Sequence, residues 1–427
     1  MEKYQVQTWS EKKDIIVEVP GSKSITNRAL LLAALSDGRV DLDGVLFSDD
    51  SRVFIKALQE LGFRVETDEK HKRVTLWGEG GTIPHSSGRI YVGSAGTAAR
   101  FLTAMTGLSG GTYEIDASEQ MKRRPMKPLF DVLEALGTEL EYMEEPWHLP
   151  VRVKGRIHSP DGNRIQVSLD IAKTSQPLSA LLMTGVMLKN PLRITVTGEK
   201  KGGAYIDITR KMMREFGVEA VFDGENYDLQ NTGVYHRSAY QIEPDVSAAG
   251  YFYGIGAITG GSALVRHVNF DTMQGDIRLL KVLEQMGCML EETPDGIRLT
   301  GPKGKLKGLE VDMNNFSDQA LTLAVVAIYA DSPVTITNIG HIRGQECDRI
   351  HAITENMNRL HIRCEEGEDW VKIYPGEPEP AKIETFEDHR VAMAFAMAGL
   401  RSGGIEILNP MCCRKTFEDY FTILNGL

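Results

Sequence analysis

One phrase recurs through this chain: a short turn of small or polar residues, then an apolar run with almost no polar side. The first copy is Pro20-Gly21-Ser22-Lys23-Ser24 leading into Ala29 to Leu35. The others open at Gly96-Thr97-Ala98-Ala99-Arg100, Ser175-Gln176-Pro177, Asp245-Val246-Ser247, Ser317-Asp318-Gln319 and Asp388-His389-Arg390. Pro20-Gly21 breaks a strand, and Ser22 or Ser24 can cap a helix. A helix apolar nearly all round must be buried. The copies lie roughly 70 to 80 residues apart, a period that marks repeated supersecondary units. After each buried helix comes a β-branched run, as in Leu192-Arg193-Ile194-Thr195-Val196, then a second, amphipathic helix. The second helices begin near Asp49, Arg124, Asp207, Asp276, Asp348 and Thr416, and several end on a glycine suited to a helix C-terminus, such as Gly62 and Gly287. Further strands follow. The predicted unit is β-α-β-α-β-β, six times over, an α/β fold.

With 427 residues, two domains are the default. Three units each gives residues 21–243 for the first domain and 1–20 plus 244–427 for the second, the N-terminal strand joining the latter. If each domain is three-fold symmetric inside, its buried helices bundle at the centre as an inside-out α/β barrel. Six helix N-termini would then face one cleft, a field that attracts anions. The formal net charge of -11 argues against a nucleic-acid partner. Five scattered cysteines suggest neither a disulfide framework nor a metal site, and fit a reducing compartment. The opening residues lack the apolar core of a signal peptide, and no stretch has the length of a membrane span. A cytoplasmic protein without a membrane partner is expected. The turn at Gly21 is not a P-loop, because Ser22 separates Gly21 from Lys23 and the first glycine is missing.

Charged residues crowd the helix starts. The basic ones are Lys23, Arg28, Arg100, Lys122, Arg123, Arg124, Arg349, Arg390, Arg414 and Lys415. The acidic ones are Asp49, Asp50, Asp245, Asp318, Glu346, Asp348 and Asp388. Singly, each reads as a cap or a solvated charge. In a symmetric array, equivalent positions converge. Several arginines with a few carboxylates then describe a site for phosphoryl or carboxylate chemistry.

Pro20 to Leu30, Gly93 to Arg100, Lys122-Arg123-Arg124-Pro125, Thr174-Ser175-Gln176 and Tyr205 to Thr209 resemble signatures of the 5-enolpyruvylshikimate-3-phosphate synthase family. So do Gln274-Gly275-Asp276, Asp318, Glu346-Cys347-Asp348-Arg349, Asp388-His389-Arg390 and Lys415-Thr416-Phe417. The resemblance runs in order along essentially the whole chain. It implies two domains of three β-α-β-α-β-β units. It implies transfer of the enolpyruvyl group of phosphoenolpyruvate to the 5-hydroxyl of shikimate 3-phosphate, on the route to chorismate, by a monomer needing no metal or organic cofactor.

The resemblance also implies roles. Asp318 is the general base toward the 5-hydroxyl, Glu346 the general acid toward the methylene carbon, and Lys23 the cation between the substrates. Arg124, Arg349, Arg390 and Lys415 hold phosphoenolpyruvate together with Gln176 and the Gly96 and Thr97 amides. Ser24 and Arg28 hold the shikimate hydroxyl and carboxylate side. Thr174, Ser175 and Gln176 hold the 3-phosphate, Tyr205 serves the same substrate, and His389 positions its neighbours. Four positions depart from the commoner pattern: Phe101 for proline, Gly202 for serine, His341 for asparagine and Gln345 for lysine. Lys173 is expected to supply the charge missing at Gln345, with Arg343 as second choice. Cys347 reads as a small neutral residue. Two other readings are a UDP-N-acetylglucosamine enolpyruvyl transferase, whose loop cysteine has no counterpart between Glu114 and Arg124, and a non-catalytic repeat scaffold. The scaffold leaves the cations at helix starts, where the dipole disfavours them, unexplained.

Overall fold

The six apolar runs form the helices Lys23–Leu35, Gly96–Gly107, Gln176–Thr184, Val246–Thr259, Ala320–Ala327 and His389–Arg401. Their side chains are buried on nearly every face, so each must lie inside a shell. This computed structural model describes residues 3–158, 162–172, 174–198, 201–230 and 233–427. Lys173 lies outside the described residues.

The chain divides into two compact units: Gly21–Ile242, and Glu243–Leu427 together with the N-terminal residues up to Pro20. In the unit Gly21–Ile242 the first three central helices touch one another, and in the other unit the last three do. Each unit wraps its three helices in three sheets. In the second repeat Ser87–Tyr91 runs parallel to Thr112–Asp116, which pairs antiparallel with Val151–Lys154, itself antiparallel to Glu139–Tyr142. The parallel pair is joined through a central helix, as a parallel connection requires. The same strand order recurs in the first, third, fourth and fifth repeats.

Two features depart from six identical units. The first and fourth repeats take their opening strand from far along the chain. Ala239–Gln241 lies parallel to Asp37–Asp43, and Asp14–Val17 lies parallel to Ser262–Arg266. The sixth sheet has three strands, Ala381–Ile383, Ile405–Leu408 and the N-terminal Lys3–Gln5. Lys3–Gln5 lies at the edge of this sheet, antiparallel to Ile405–Leu408. The N-terminal segment is therefore two strands in two sheets, where one strand was expected.

The turn before the first helix is dictated by close approach. A Cβ on Gly21 would lie 1.9 Å from the Gly44 carbonyl oxygen, so no other residue fits there. No helix among the described residues is long and apolar enough to cross a membrane.

Candidate active site

In the unit Gly21–Ile242 the starts of the central helices meet. Asn27 Nδ2 of the first donates to Thr97 Oγ1 of the second at 2.6 Å. Arg28 ties the first to the third: its Nη2 donates to Ser179 Oγ at 3.2 Å and to the Tyr205 carbonyl at 3.1 Å. Its Nε donates to Thr209 Oγ1 at 2.7 Å and its Nη1 to the Ser24 carbonyl at 2.9 Å. The side chain is 1% exposed, and burial lowers its pKa to about 10. Its guanidinium lies 5.5 Å from the Phe101 ring centre and 5.8 Å from that of Tyr205. Aromatic faces are good partners for a weakly hydrated guanidinium. A proline at 101 could not offer one.

Lys23 opens the first helix with Nζ 3.6 Å from the buried carboxylate of Asp50. The Arg124 guanidinium lies over the start of the second helix, where a Cβ on Gly96 would come within 2.8 Å of Nη1. Arg100 holds this arrangement from behind, donating to the Gly96 carbonyl at 3.0 Å and the Pro125 carbonyl at 3.3 Å. Arg124 Nε is buried and finds no hydrogen-bond partner among the described residues. Neither does Gln176 Oε1, at the start of the third helix, whose backbone N–H donates to Thr174 Oγ1 at 3.3 Å. Lys122 belongs to a surface network with Glu144, Glu119 and Asp116.

The other unit gathers its charges around Arg349, which is 1% exposed. Arg349 Nη1 donates to Asp318 Oδ1 at 2.9 Å and to Gln345 Oε1 at 3.0 Å. Nη2 donates to Glu346 Oε2 at 3.0 Å, and Nε to Asp388 Oδ2 at 2.8 Å. The outer oxygens of the two carboxylates meet further cations. Arg390 Nη2 donates to Asp318 Oδ2 at 2.9 Å, and Lys415 Nζ lies 3.1 Å from Glu346 Oε1. Burial alone would pull the Arg349 pKa down; Asp388, Glu346 and Asp318 outweigh it and hold the guanidinium firmly charged. Asp388 is aimed by backbone as well as by charge. It follows Phe386 and Glu387, both left-handed at φ 52° and 57°, a conformation that costs about 1–3 kcal/mol per non-glycine residue. Its Oδ1 accepts from the Arg390 backbone N–H at 2.8 Å, capping the sixth central helix.

The family model described as EPSP synthase (3-phosphoshikimate 1-carboxyvinyltransferase) matches residues 10–424. The chain belongs to the EPSP synthase family. A 3-phosphoshikimate 1-carboxyvinyltransferase of Nostoc punctiforme is 41% identical over 423 residues, covering 99% of this chain and 98% of that one. A relative from Halalkalibacterium halodurans named 3-phosphoshikimate 1-carboxyvinyltransferase 2 is 37% identical, covering 98% and 93%. Among solved structures, an EPSP synthase from Acinetobacter baumannii superposes with a TM-score of 0.83 at 24% identity, covering 100% of this chain and 98% of that one. The enolpyruvyl transferase NikO from Streptomyces tendae gives 0.74 at 14%, covering 99% and 96%. The α/β fold of repeated β-α-β-α-β-β units is thus that of the enolpyruvyl transferases.

Against the residues expected from the EPSP synthase pattern, the structure groups Asp318, Glu346, Arg349, Arg390 and Lys415 in one ion-pair network. In the other unit Arg28 is an internal brace between Ser24, Tyr205, Ser179 and Thr209. Arg343, the second choice for the missing cation, is engaged within its own unit. It donates to Asp348 at 2.7 Å and to the carbonyls of Gly367 at 2.7 Å and Glu368 at 3.0 Å. Gln345 accepts from Arg349, which a lysine could not do. At Gly202 a Cβ would meet the Tyr227 hydroxyl at 3.4 Å, and that hydroxyl donates to the Lys201 carbonyl at 3.0 Å. His341 Nε2 is 2.7 Å from Ser317 Oγ. Burial and the neighbouring Asp388 push the Cys347 thiol well up, so it is neutral. His389 is buried, with Nδ1 3.6 Å from Asp388.

Sequence reasoning gave no role to Asp276, although its Gln274-Gly275-Asp276 motif stood out. Asp276 is buried on the turn Gly275–Ile277, and Ser247 Oγ donates to its Oδ2. Burial first, and Asp318 second, raise its pKa to about 7.

Proposed function

We propose that this protein transfers the enolpyruvyl group of phosphoenolpyruvate to the 5-hydroxyl of shikimate 3-phosphate, releasing phosphate. One observation carries the reading: the two carboxylates expected as base and acid, Asp318 and Glu346, share one buried arginine, with Arg390 and Lys415 on their outer oxygens. That is a pair of proton-transfer groups set among cations for an anionic substrate.

In this reading the phosphate and carboxylate of phosphoenolpyruvate take over Arg349, Arg390 and Lys415, and Arg124 and the Gly96 and Thr97 amides also serve this substrate. Asp318, relieved of its arginines, removes the 5-hydroxyl proton as that oxygen bonds to C2. Glu346, with phosphate near it, keeps a proton and delivers it to C3, which becomes a methyl group. The tetrahedral adduct then returns a C3 proton to Glu346 as the bond from C2 to the phosphate oxygen breaks, restoring the double bond. Lys23 and Arg124 stabilise the charge that develops on the departing phosphate. Ser24, Thr174, Ser175, Gln176 and Tyr205 serve shikimate 3-phosphate. Lys173 remains our assignment for the extra cation at its 3-phosphate, because Arg343 is committed elsewhere. Arg28 acts on this substrate by holding Ser24 and Tyr205. The reading extends to a cytoplasmic monomer; all five cysteines are free thiols, which suits a reducing compartment.

Phosphate release measured with phosphoenolpyruvate and either shikimate 3-phosphate or UDP-N-acetylglucosamine tests the proposal. Release with the first acceptor alone is expected. Release only with the second would replace shikimate 3-phosphate as the substrate.

A further inference from the structure

Around the first turn of the helix Val246–Thr259, two carboxylates are drawn to one place. Ser247 of that turn donates through Oγ to Asp276 Oδ2. Gln319, next to Asp318, donates through Nε2 to the carbonyls of Val246 at 3.3 Å and Ser247 at 3.2 Å. The turn Gly275–Ile277 also packs against the turn Ser317–Gln319. Three buried or nearly buried carboxylates, Asp318, Glu346 and Asp388, face the cations Arg349, Arg390 and Lys415, and the buried Asp276 lies beside the turn of Asp318. Asp318, Glu346 and Asp388 are each paired with an arginine; Asp276 has a hydroxyl.

We propose that Asp276 is a positioning residue for the base: its carboxylate acts on Asp318 across the packed turns Gly275–Ile277 and Ser317–Gln319 and sets how readily Asp318 accepts the substrate proton. The inference rests on the function proposed above. A negative charge on Asp276 raises the basicity of the neighbouring Asp318; a protonated Asp276 does not. No atom of Asp276 is transferred; the proton of the 5-hydroxyl goes to Asp318. The charged and titratable groups around Asp276 are Asp245 at the cap of Val246–Thr259, Asp318, Arg390, Glu243, which accepts from Gln274, and on its own segment the exposed Arg278. Its pKa of about 7 places the switch in the working range.

The test is the pH profile of kcat between about pH 5.5 and 9 with both substrates saturating, for the parent, Asp276→Asn, Asp276→Glu and Ser247→Ala. The parent should rise through a step near neutrality. Asp276→Asn should lose that step and run roughly 10- to 100-fold slower above pH 8, the equivalent of one to two units of basicity. Its KM values and its dissociation constant for shikimate 3-phosphate should stay within about twofold of the parent. Asp276→Glu should restore the step. Ser247→Ala, a smaller change, removes the hydroxyl that favours the ionised form and should move the step up by roughly one unit. The proposal is overturned if Asp276→Asn keeps the step, if its loss of rate is matched by loss of ligand binding, or, should that variant not fold, if Ser247→Ala leaves the step where it was. A parent inactive with shikimate 3-phosphate would instead overturn the proposed function.

Discussion

A charged residue at the start of a buried helix can be a substrate ligand, a cap or an internal strut, and the three differ in what a mutation costs. Asp318 and Glu346 are proton carriers in our reading. Asp318→Asn and Glu346→Gln are nearly isosteric, so each should retain the fold while kcat falls roughly 10²- to 10⁴-fold, the range for a general acid or base. Steady-state phosphate release measures this, and a variant near the parent rate would remove that residue from its role. Arg28 is the opposite case. Its donors are spent on Thr209, Ser24, Ser179 and Tyr205, and a lysine cannot reproduce the fork. Arg28→Lys should lower the unfolding free energy by roughly 2–4 kcal/mol, since hydrogen bonds from a charged group contribute about 1.5–3 kcal/mol and several are lost at once. Urea denaturation of the unliganded protein checks it. Parent-like stability with weakened shikimate 3-phosphate binding would make Arg28 a ligand rather than a strut. Sequence alone could place Arg28 in the first turns of a buried helix but could not choose between those roles. The choice depends on Ser179, Tyr205 and Thr209, some 150 to 180 residues away.

At the level of helices and turns, our reading puts substrate binding at the first turns of the central helices, because that is where backbone N–H groups are unpaired and the dipole is positive. Asp245, Asp348 and Asp388 behave as caps, accepting from the backbone N–H groups of Ala248, His351 and Arg390. The second central helix starts on Gly96 instead, with Arg124 lying over the space a side chain would take. In Gly96→Ala the methyl must push aside the end of a flexible arginine and leave the backbone as it is. Stability should therefore stay within about 1 kcal/mol of the parent, helped by the better helix propensity of alanine. The KM for phosphoenolpyruvate should rise roughly tenfold, about 1.4 kcal/mol of lost interaction, with that for shikimate 3-phosphate within twofold. Initial-rate kinetics with each substrate varied in turn would show it, and equal increases in both KM values would place Arg124 elsewhere than on phosphoenolpyruvate.

For the whole molecule, the proposed reaction assigns Lys23 and Glu346 to one transition state. Groups serving one transition state are strongly non-additive. The Lys23→Met, Glu346→Gln double variant should be slower than its slower parent variant by less than about tenfold, whereas groups acting in separate reactions would multiply their effects. A kcat/KM cycle over the four proteins decides between them. The six-fold repeat and the two groups of three were legible in the chain, because apolar periodicity and turn residues act over a few neighbours. Family membership was legible for the same reason: its motifs are short, local and in order. Only the tertiary structure decided that the N-terminal segment supplies strands to two sheets, that Phe101 faces Arg28, and that Asp318 and Glu346 share Arg349. It alone brought Asp276 to Ser247 beside the turn of Asp318. The strength of those pairings is set by distance and burial, quantities that no local pattern of residues encodes.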